Sequence, residues 1–347
     1  MKHKKPKRKH PPLALFFLLG LGGVATLLFL FLILHSLFET PPPPPLPPPT
    51  PQVLQQPALS ITRNEELLLR LEEMIGQQQQ QMNAQQALDA NDTNGTSYAE
   101  LTPKTEVIIA PKEPPRHTPV APKEWTKKPK LAIIMDDIGY LWQAKELLEL
   151  GFKVTPSVFP QSAKTPDTPK IASLLPFYMI HIPLEAIEFY QKGQEWFFVH
   201  DTPEALEQKF QKIVRDFPTM KYLNNHTGSK FTADIPAMRR LYELIGSRGF
   251  VFVDSRTTAE SKAPVVAKER KKPLLSRDVF LDNSRDESAI RRQIIEAVGI
   301  AKKRGYAVAI GHPHPETFRA LKGAKQLFDG VDLVYVDEIY KALSFKE

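Results

Sequence analysis

Two adjacent carboxylates, Asp136 and Asp137, follow the apolar run LAIIM, and they are the sharpest chemical feature of the chain. Side by side at a buried strand end, two carboxylates repel, so a proton or a cation must hold them there. Other polar groups fall in the same way. His181 lies late in FYMIHI, and Asn224, Asn225 and His226 follow KYL. Asp254 follows FVFV, Asp282 follows VFL, and His312 and His314 follow AVAIG. In parallel α/β folds the C-terminal strand ends converge on one face, where sites are built. Taken singly, each residue has a plain explanation. An Asp after a strand commonly forms a turn or caps a helix, and a lone His is usually hydrogen-bonded structure. Coincidence at six strand ends favours function. His181, His226 and an Asp supply the nitrogen and oxygen ligands of an open zinc-type site.

The elements that must position these residues run from Pro129 onward, as apolar runs alternating with amphipathic segments. The pattern predicts strands at 130–135, 153–159, 177–182, 221–223, 250–253, 279–281, 306–310 and 333–336. It predicts helices at 140–150, 203–217, 235–247, 287–303, 315–328 and 339–344. Thr202-Pro203 and Asp234 are helix starts, and Arg304-Gly305 is a helix stop. This alternation implies an α/β fold with a largely parallel sheet, open or closed into a barrel. Trp142, Trp196 and Phe197 read as packing residues before sugar-stacking ones.

The first third of the chain is different. Nineteen of its 33 prolines lie in residues 1–128, and 14 lie in the remaining 219 positions. Six of the seven net positive charges are Lys2, Lys4, Lys5, Lys7, Arg8 and Lys9. The charge therefore belongs to a short tail and not to a folded face, and nucleic acid is not an expected partner. No Cys is present, which excludes disulfides, Cys-zinc sites and thiol nucleophiles. Leu13–Leu34 carries neither charge nor His over 22 residues, enough for a bilayer core of about 30 Å. Residues 1–12 are then a basic cytoplasmic tail and 13–38 an uncleaved transmembrane signal anchor of the inner membrane. The excess of Lys and Arg before the span places the rest outside, in the periplasm. Residues 39–128 read as a Pro/Gln-rich disordered linker with a short helix near 64–86, and 129–347 as the folded domain. Ile61, Leu68, Ile75 and Met82 repeat every seven residues, but the companion positions are Asn64, Leu71, Gln78 and Gln85. A coiled-coil dimer is therefore a weak expectation. Asn91 and Asn94 each stand in N-x-T with an acidic residue two places before, a pattern for glycan acceptors in an exported linker.

In this order, LAIIMDDIGY, SVFP, IHIPLEA, NNHTGSKFT, FVDSRTT, VFLDN and IGHPHPETFRAL resemble the divergent polysaccharide deacetylases, over roughly 130–347. That family is a branch of the carbohydrate esterase deacetylases with a distorted (β/α) barrel. The resemblance implies that Asp136 is the general base and Asp137 a metal ligand. The main family's other ligands form His-x-x-x-His. Here His181 is followed four residues later by Glu185, so His226 is the expected substitute, with Glu185 the alternative. His312 or His314 matches the general acid, and Asp282 the carboxylate that orients it. The family's Arg-x-Pro-Tyr motif is absent from the domain. Asn224, Asn225 and Asp254 are expected to touch substrate.

The expectation is a membrane-tethered deacetylase using a divalent cation, zinc first, on N- or O-acetyl groups of an envelope polysaccharide such as peptidoglycan. The alternative is a non-catalytic glycan-binding scaffold that keeps the fold. A metal phosphoesterase is the weaker reading, since only Lys230 and Arg256 stand near the motifs as a basic clamp.

Overall fold

In the computed structural model, residues 63–89 and 128–344 are described. The segment expected to span the membrane, the proline run, Asn91 and Asn94 lie outside them. No helix among the described residues is long and apolar enough to cross a membrane.

Helix α1 (Arg63–Asp89) comes first. Strand and helix then alternate as β1 (Lys130–Ile138), α2 (Leu141–Glu149), β2 (Thr155–Val158), α3 (Thr168–Leu174), β3 (Met179–Leu184) and α4 (Pro203–Asp216). They continue as β4 (Tyr222–Thr227), α5 (Ile235–Gly246), β5 (Val251–Asp254), α6 (Ala263–Glu269), β6 (Leu275–Ser276) and β7 (Val279–Phe280). The last elements are α7 (Glu287–Arg304), β8 (Tyr306–Gly311), α8 (Pro315–Lys322), β9 (Asp332–Leu333) and α9 (Val336–Ser344). All strand pairs are parallel, in the order β6-β5-β4-β3-β2-β1-β8-β7. The two end strands are separated in the chain only by Arg277 and Asp278. One stretch of chain thus pairs with β5 at its start and with β8 at its finish, and the sheet curls. β9 adds to β1 at Lys130 and Leu131, on the edge that β2 takes further along.

Alternation along β1 shows how the layers form. Leu131, Ile133 and Met135 join the large core between sheet and helices. Ala132 and Ile134 face the other way and pack with Met179, Tyr222, Val253, Val308 and Ile310 from the other strands. Helix α9 plugs this inner cluster with Val336, Ile339 and Leu343. Both faces of β1 are buried, as its unbroken apolar run requires. The helix starts are as expected. Thr202 accepts from Ala205 N at 3.2 Å and Asp234 from Ala237 N at 2.7 Å, and α7 stops at left-handed Gly305.

The structure differs from the expectations in several places. Helices α3 and α6 and strand β6 are too short to show a period. The helix expected at 315–328 breaks at Gly323 into α8 and a 3-10 turn, Lys325–Phe328. The strand expected at 333–336 ends at Leu333, because Val336 already begins α9 with Asp337 and Glu338 in its first turn. Helix α1 also lies against the domain. Leu71 is fully buried in the large core, and Met74 and Ile75 pack on it. The best part of the heptad pattern is therefore used within the chain.

Candidate active site

The inner face of the curled sheet stays apolar until the strand ends, and there it turns polar. Counting by twos past Ile134, Met179, Tyr222, Val253 and Ile310 reaches Asp136, His181, Asn224, His226, Ser255 and His312. The same face of β7 continues from Phe280 to Asp282. Asp137 has the wrong parity for this set. Between Met135 and Ile138 the register with β2 slips, and Asp137 takes a left-handed φ of 58°. This bulge turns the second carboxylate to the side of the first. Asp tolerates the left-handed region better than most residues.

Asp137 Oδ1 lies 3.2 Å from His181 Nε2 and 3.0 Å from His226 Nδ1. One ligand atom from each of the three residues can be chosen within 4.8 Å of the others. A four-coordinate zinc with bonds of about 2.0–2.1 Å holds its ligand atoms about 3.3 Å apart, so this N2O set fits such an ion with a position left open. His226 Nε2 is buried with no hydrogen-bond partner among the described residues. Phe159 packs on both rings, at 5.5 Å from His181 and 4.9 Å from His226. Trp196 lies 6.0 Å from His226. This apolar wall strengthens every electrostatic interaction inside it.

Asn224 fixes the tautomer of His181. Its Oδ1 accepts from Ser157 Oγ at 2.6 Å, and its Nδ2 donates to Asp136 Oδ1 at 2.8 Å and to Ser255 Oγ at 3.0 Å. The amide oxygen therefore faces His181 Nδ1, 2.8 Å away, so that nitrogen carries the proton. In the neutral ring the lone pair is then on Nε2, aimed at Asp137. A lone pair facing a carboxylate needs a cation or a proton between them.

The charges follow from burial and neighbours. Burial raises the Asp136 pKa and outweighs the lowering by His181 and His312. Burial acts the same way on Asp137, but His226, His181 and His312 outweigh it and hold that carboxyl well below the usual range. His181 is raised, because Asp136 and Asp137 overcome the opposing effect of burial.

Asp282 and His312 form a second unit. Asp282 Oδ2 accepts from His312 N at 2.6 Å and from Thr317 Oγ1 at 2.7 Å, while Oδ1 lies 3.0 Å from His312 Nδ1. Burial works against the His312 cation, but Asp282 prevails and lifts the pKa to about 9. His314, 5.9 Å away between ring centroids, is lowered, first by burial. It stands at the N-cap of α8.

Three residues expected to touch substrate are committed to the protein instead. Asn224 is fully buried with all its bonds internal. Asn225 and Asp254 have the parity of Leu223 and Phe252, which face the helices. Asn225 Oδ1 accepts from Ser255 N at 3.0 Å, and its Nδ2 bonds the Thr227 carbonyl. Asp254 accepts from Arg256 N and from Ser261 Oγ, both at 2.8 Å. Glu185, the alternative ligand, binds Lys230 Nζ at 2.6 Å and Val199 N at 2.7 Å, apart from the Asp137 cluster. Trp196 and Phe197 are buried, as packing residues are. Ser157, Ser255 and Thr317 escaped the sequence reading. Inner-face parity could have found the first two, and nothing in the pattern marks Thr317.

Known proteins resemble the chain over this domain. The chain is 29% identical over 195 residues to the "Uncharacterized protein YibQ" of Escherichia coli (strain K12), covering 56% of this chain and 61% of that one. It is 30% identical over 218 residues to an "Uncharacterized protein" of Haemophilus influenzae, covering 61% and 77%. The match thus spans about three fifths of the first relative's length. The crystal structure of protein ATU2773 from Agrobacterium tumefaciens C58 shares the fold, with a TM-score of 0.57 at 20% identity, over 63% of this chain and 92% of that one. The family model for divergent polysaccharide deacetylases matches residues 133–340, which contain every group of the site. With a curled parallel α/β fold and paired acids and histidines at its strand ends, the chain belongs to the divergent polysaccharide deacetylases.

Proposed function

We propose that the chain is a metal-dependent deacetylase that removes N- or O-acetyl groups from an envelope polysaccharide. The observation that carries this is the placing of two units on one face. A cation-ready set, Asp137, His181 and His226, has buried Asp136 beside it. The Asp282–His312 pair is close enough to Asp136 and Asp137 for their charges to raise the His312 pKa.

Asp137, His181 and His226 would hold a divalent cation, zinc in the first instance. When bound, such an ion supplies Lewis acidity for the acetyl carbonyl and for the attacking water. The remaining work falls to the protein. Asp136, oriented by Asn224, takes the proton of the attacking water at its carboxylate. His312, with a pKa near 9, carries a proton at neutral pH and gives it to the departing nitrogen or oxygen. Asp282 holds that ring by its Nδ1, which leaves Nε2 as the donating atom. His314, with its lowered pKa, is the poorer acid. Phe159 and Trp196 exclude water from the cation side.

The same reading places the protein in the inner membrane through Leu13–Leu34, with its domain in the periplasm facing glycan. Acetate release from purified peptidoglycan and from an N-acetylated chitooligosaccharide tests the activity, with wild type and Asp136→Asn side by side. Asn keeps the shape and cannot take the proton, so the variant should lose at least about a hundredfold in rate. Wild-type rates equal to the variant's with every cation tried would overturn the enzyme reading in favour of a scaffold.

A further inference from the structure

A cleft of about 260 Å³ opens beside the site, where Arg277 and Asp278 join the two ends of the sheet. Arg256, Arg277, Phe280, Asn283 and Ser284 line it. A single ring separates it from the candidate acid: Phe280 packs under Arg277, with 4.8 Å from Cζ to the centroid, and its ring lies 5.4 Å from His312. Resting on the deacetylase reading, we propose that this cleft is a subsite for a carboxylate carried by the glycan, and that Arg256 binds it.

Arg256 takes a left-handed φ of 51°, a conformation that a long L side chain rarely adopts. Its neighbours enforce it from both sides. Asp254 accepts its N–H at 2.8 Å, and Arg277 donates from Nε to the Ser255 carbonyl and from Nη2 to the Arg256 carbonyl, both at 2.7 Å. Strain that is over-determined in this way tends to accompany function. The guanidinium so presented has no hydrogen-bond or ion-pair partner among the described residues, although it lines the cleft. The acids of the same wall are engaged elsewhere: Asp278 is paired with Arg304, and Glu296 has an interaction of its own. Asp254 bonds the Arg256 backbone N–H and Ser261 Oγ, and acts on the Arg256 guanidinium only through its charge. An unpaired, half-buried fork of N–H donors matches a carboxylate in two parallel bonds. Asn283 and Ser284 add neutral polar groups to the same wall.

The test is binding, which needs no turnover. N-acetylmuramic acid carries a lactyl carboxylate that N-acetylglucosamine lacks. Affinities of both for the full chain are measured by calorimetry or NMR titration, with glucose 6-phosphate as a phosphate probe. Wild type should prefer N-acetylmuramic acid at least about tenfold, the scale of one charge-assisted bidentate contact. Arg256→Gln should abolish the preference, and Arg256→Lys should restore only part of it. Arg256→Gly relieves the φ constraint, so it should lose the preference without a lowered Tm, which a merely structural arginine would not do. Equal wild-type affinity for the two sugars would overturn the proposal, as would a preference that survives in Arg256→Gln. An Arg256-dependent affinity for glucose 6-phosphate alone would also overturn the carboxylate assignment. Acetate release, assayed separately, reports on the deacetylase reading whichever way the binding falls.

Discussion

Replacing Asp282 by Asn removes the nearest negative charge from His312 while keeping an oxygen that can accept from His312 N and Thr317 Oγ1. The paired ring has a pKa of about 9 against an ordinary value of 6.5, and Asp282 is the main cause of the rise. Without it, burial dominates, and the pKa should return to about 6.5 or below, a drop of roughly 2.5 units or about 3 kcal/mol at 1.36 kcal/mol per unit. At pH 7.5 the protonated fraction would fall from nearly all to roughly a tenth. The sign for stability follows from the raised folded pKa. The pair's contribution is complete below about pH 6.5 and is lost as pH rises through about 9. The deficit of the variant in urea unfolding should therefore be largest, about 3 kcal/mol, near pH 6, should shrink between about pH 6.5 and 9, and should be nearly gone above pH 9. The alkaline limb of acetate release should move from about pH 9 to near 6.5 or below. NMR of the imidazole nitrogens reads the same change without catalysis. An unshifted His312 titration, or a deficit that does not shrink at alkaline pH, would refute the pairing as the source of the acid.

Two further outcomes follow from the packing. Gly228 has φ 94°, and a Cβ there would stand 2.9 Å from Leu184 Cβ. Gly228→Ala should cost about 2–3 kcal/mol in urea unfolding, from left-handed strain plus contact, and a cost near zero would show that the turn after His226 can relax. Leu71→Ala should cost about 2–3 kcal/mol if α1 stays docked, and less if the helix releases, which hydrogen exchange across residues 65–83 distinguishes. Unchanged stability with unchanged exchange would contradict the docking of α1.

The alternating strands and helices were legible because long, strongly periodic segments announce themselves, and the helix starts at Thr202 and Asp234 are chemical signals. The site residues were legible as a set for a simpler reason: polar groups do not end apolar strands by chance at six places. Their individual roles were less so. Asn225 and Asp254 stand one residue from the inner face, and period two already sends them toward the helices. Asn224 has the inner parity, yet its four bonds depend on which strands are neighbours, which no single segment states. Asp137 required the bulge, and a register slip between β1 and β2 leaves no mark in either strand alone. Helix α1 read as part of a linker because its apolar stripe is short, and only the presence of α2 beside it shows what Leu71 covers.

Metal content tests the central claim most directly. Full chain purified in detergent is loaded with zinc, dialysed and measured by mass spectrometry, for wild type, His226→Ala and Glu185→Ala. Losing one of three protein ligands should cut affinity steeply. The predicted result is about one ion per wild-type chain, little or none in His226→Ala, and wild-type content in Glu185→Ala, whose carboxylate already holds Lys230 and Val199 N. Full metal in His226→Ala together with loss in Glu185→Ala would contradict the assignment of the third ligand, and a wild-type chain that binds no divalent ion would contradict the metal site itself.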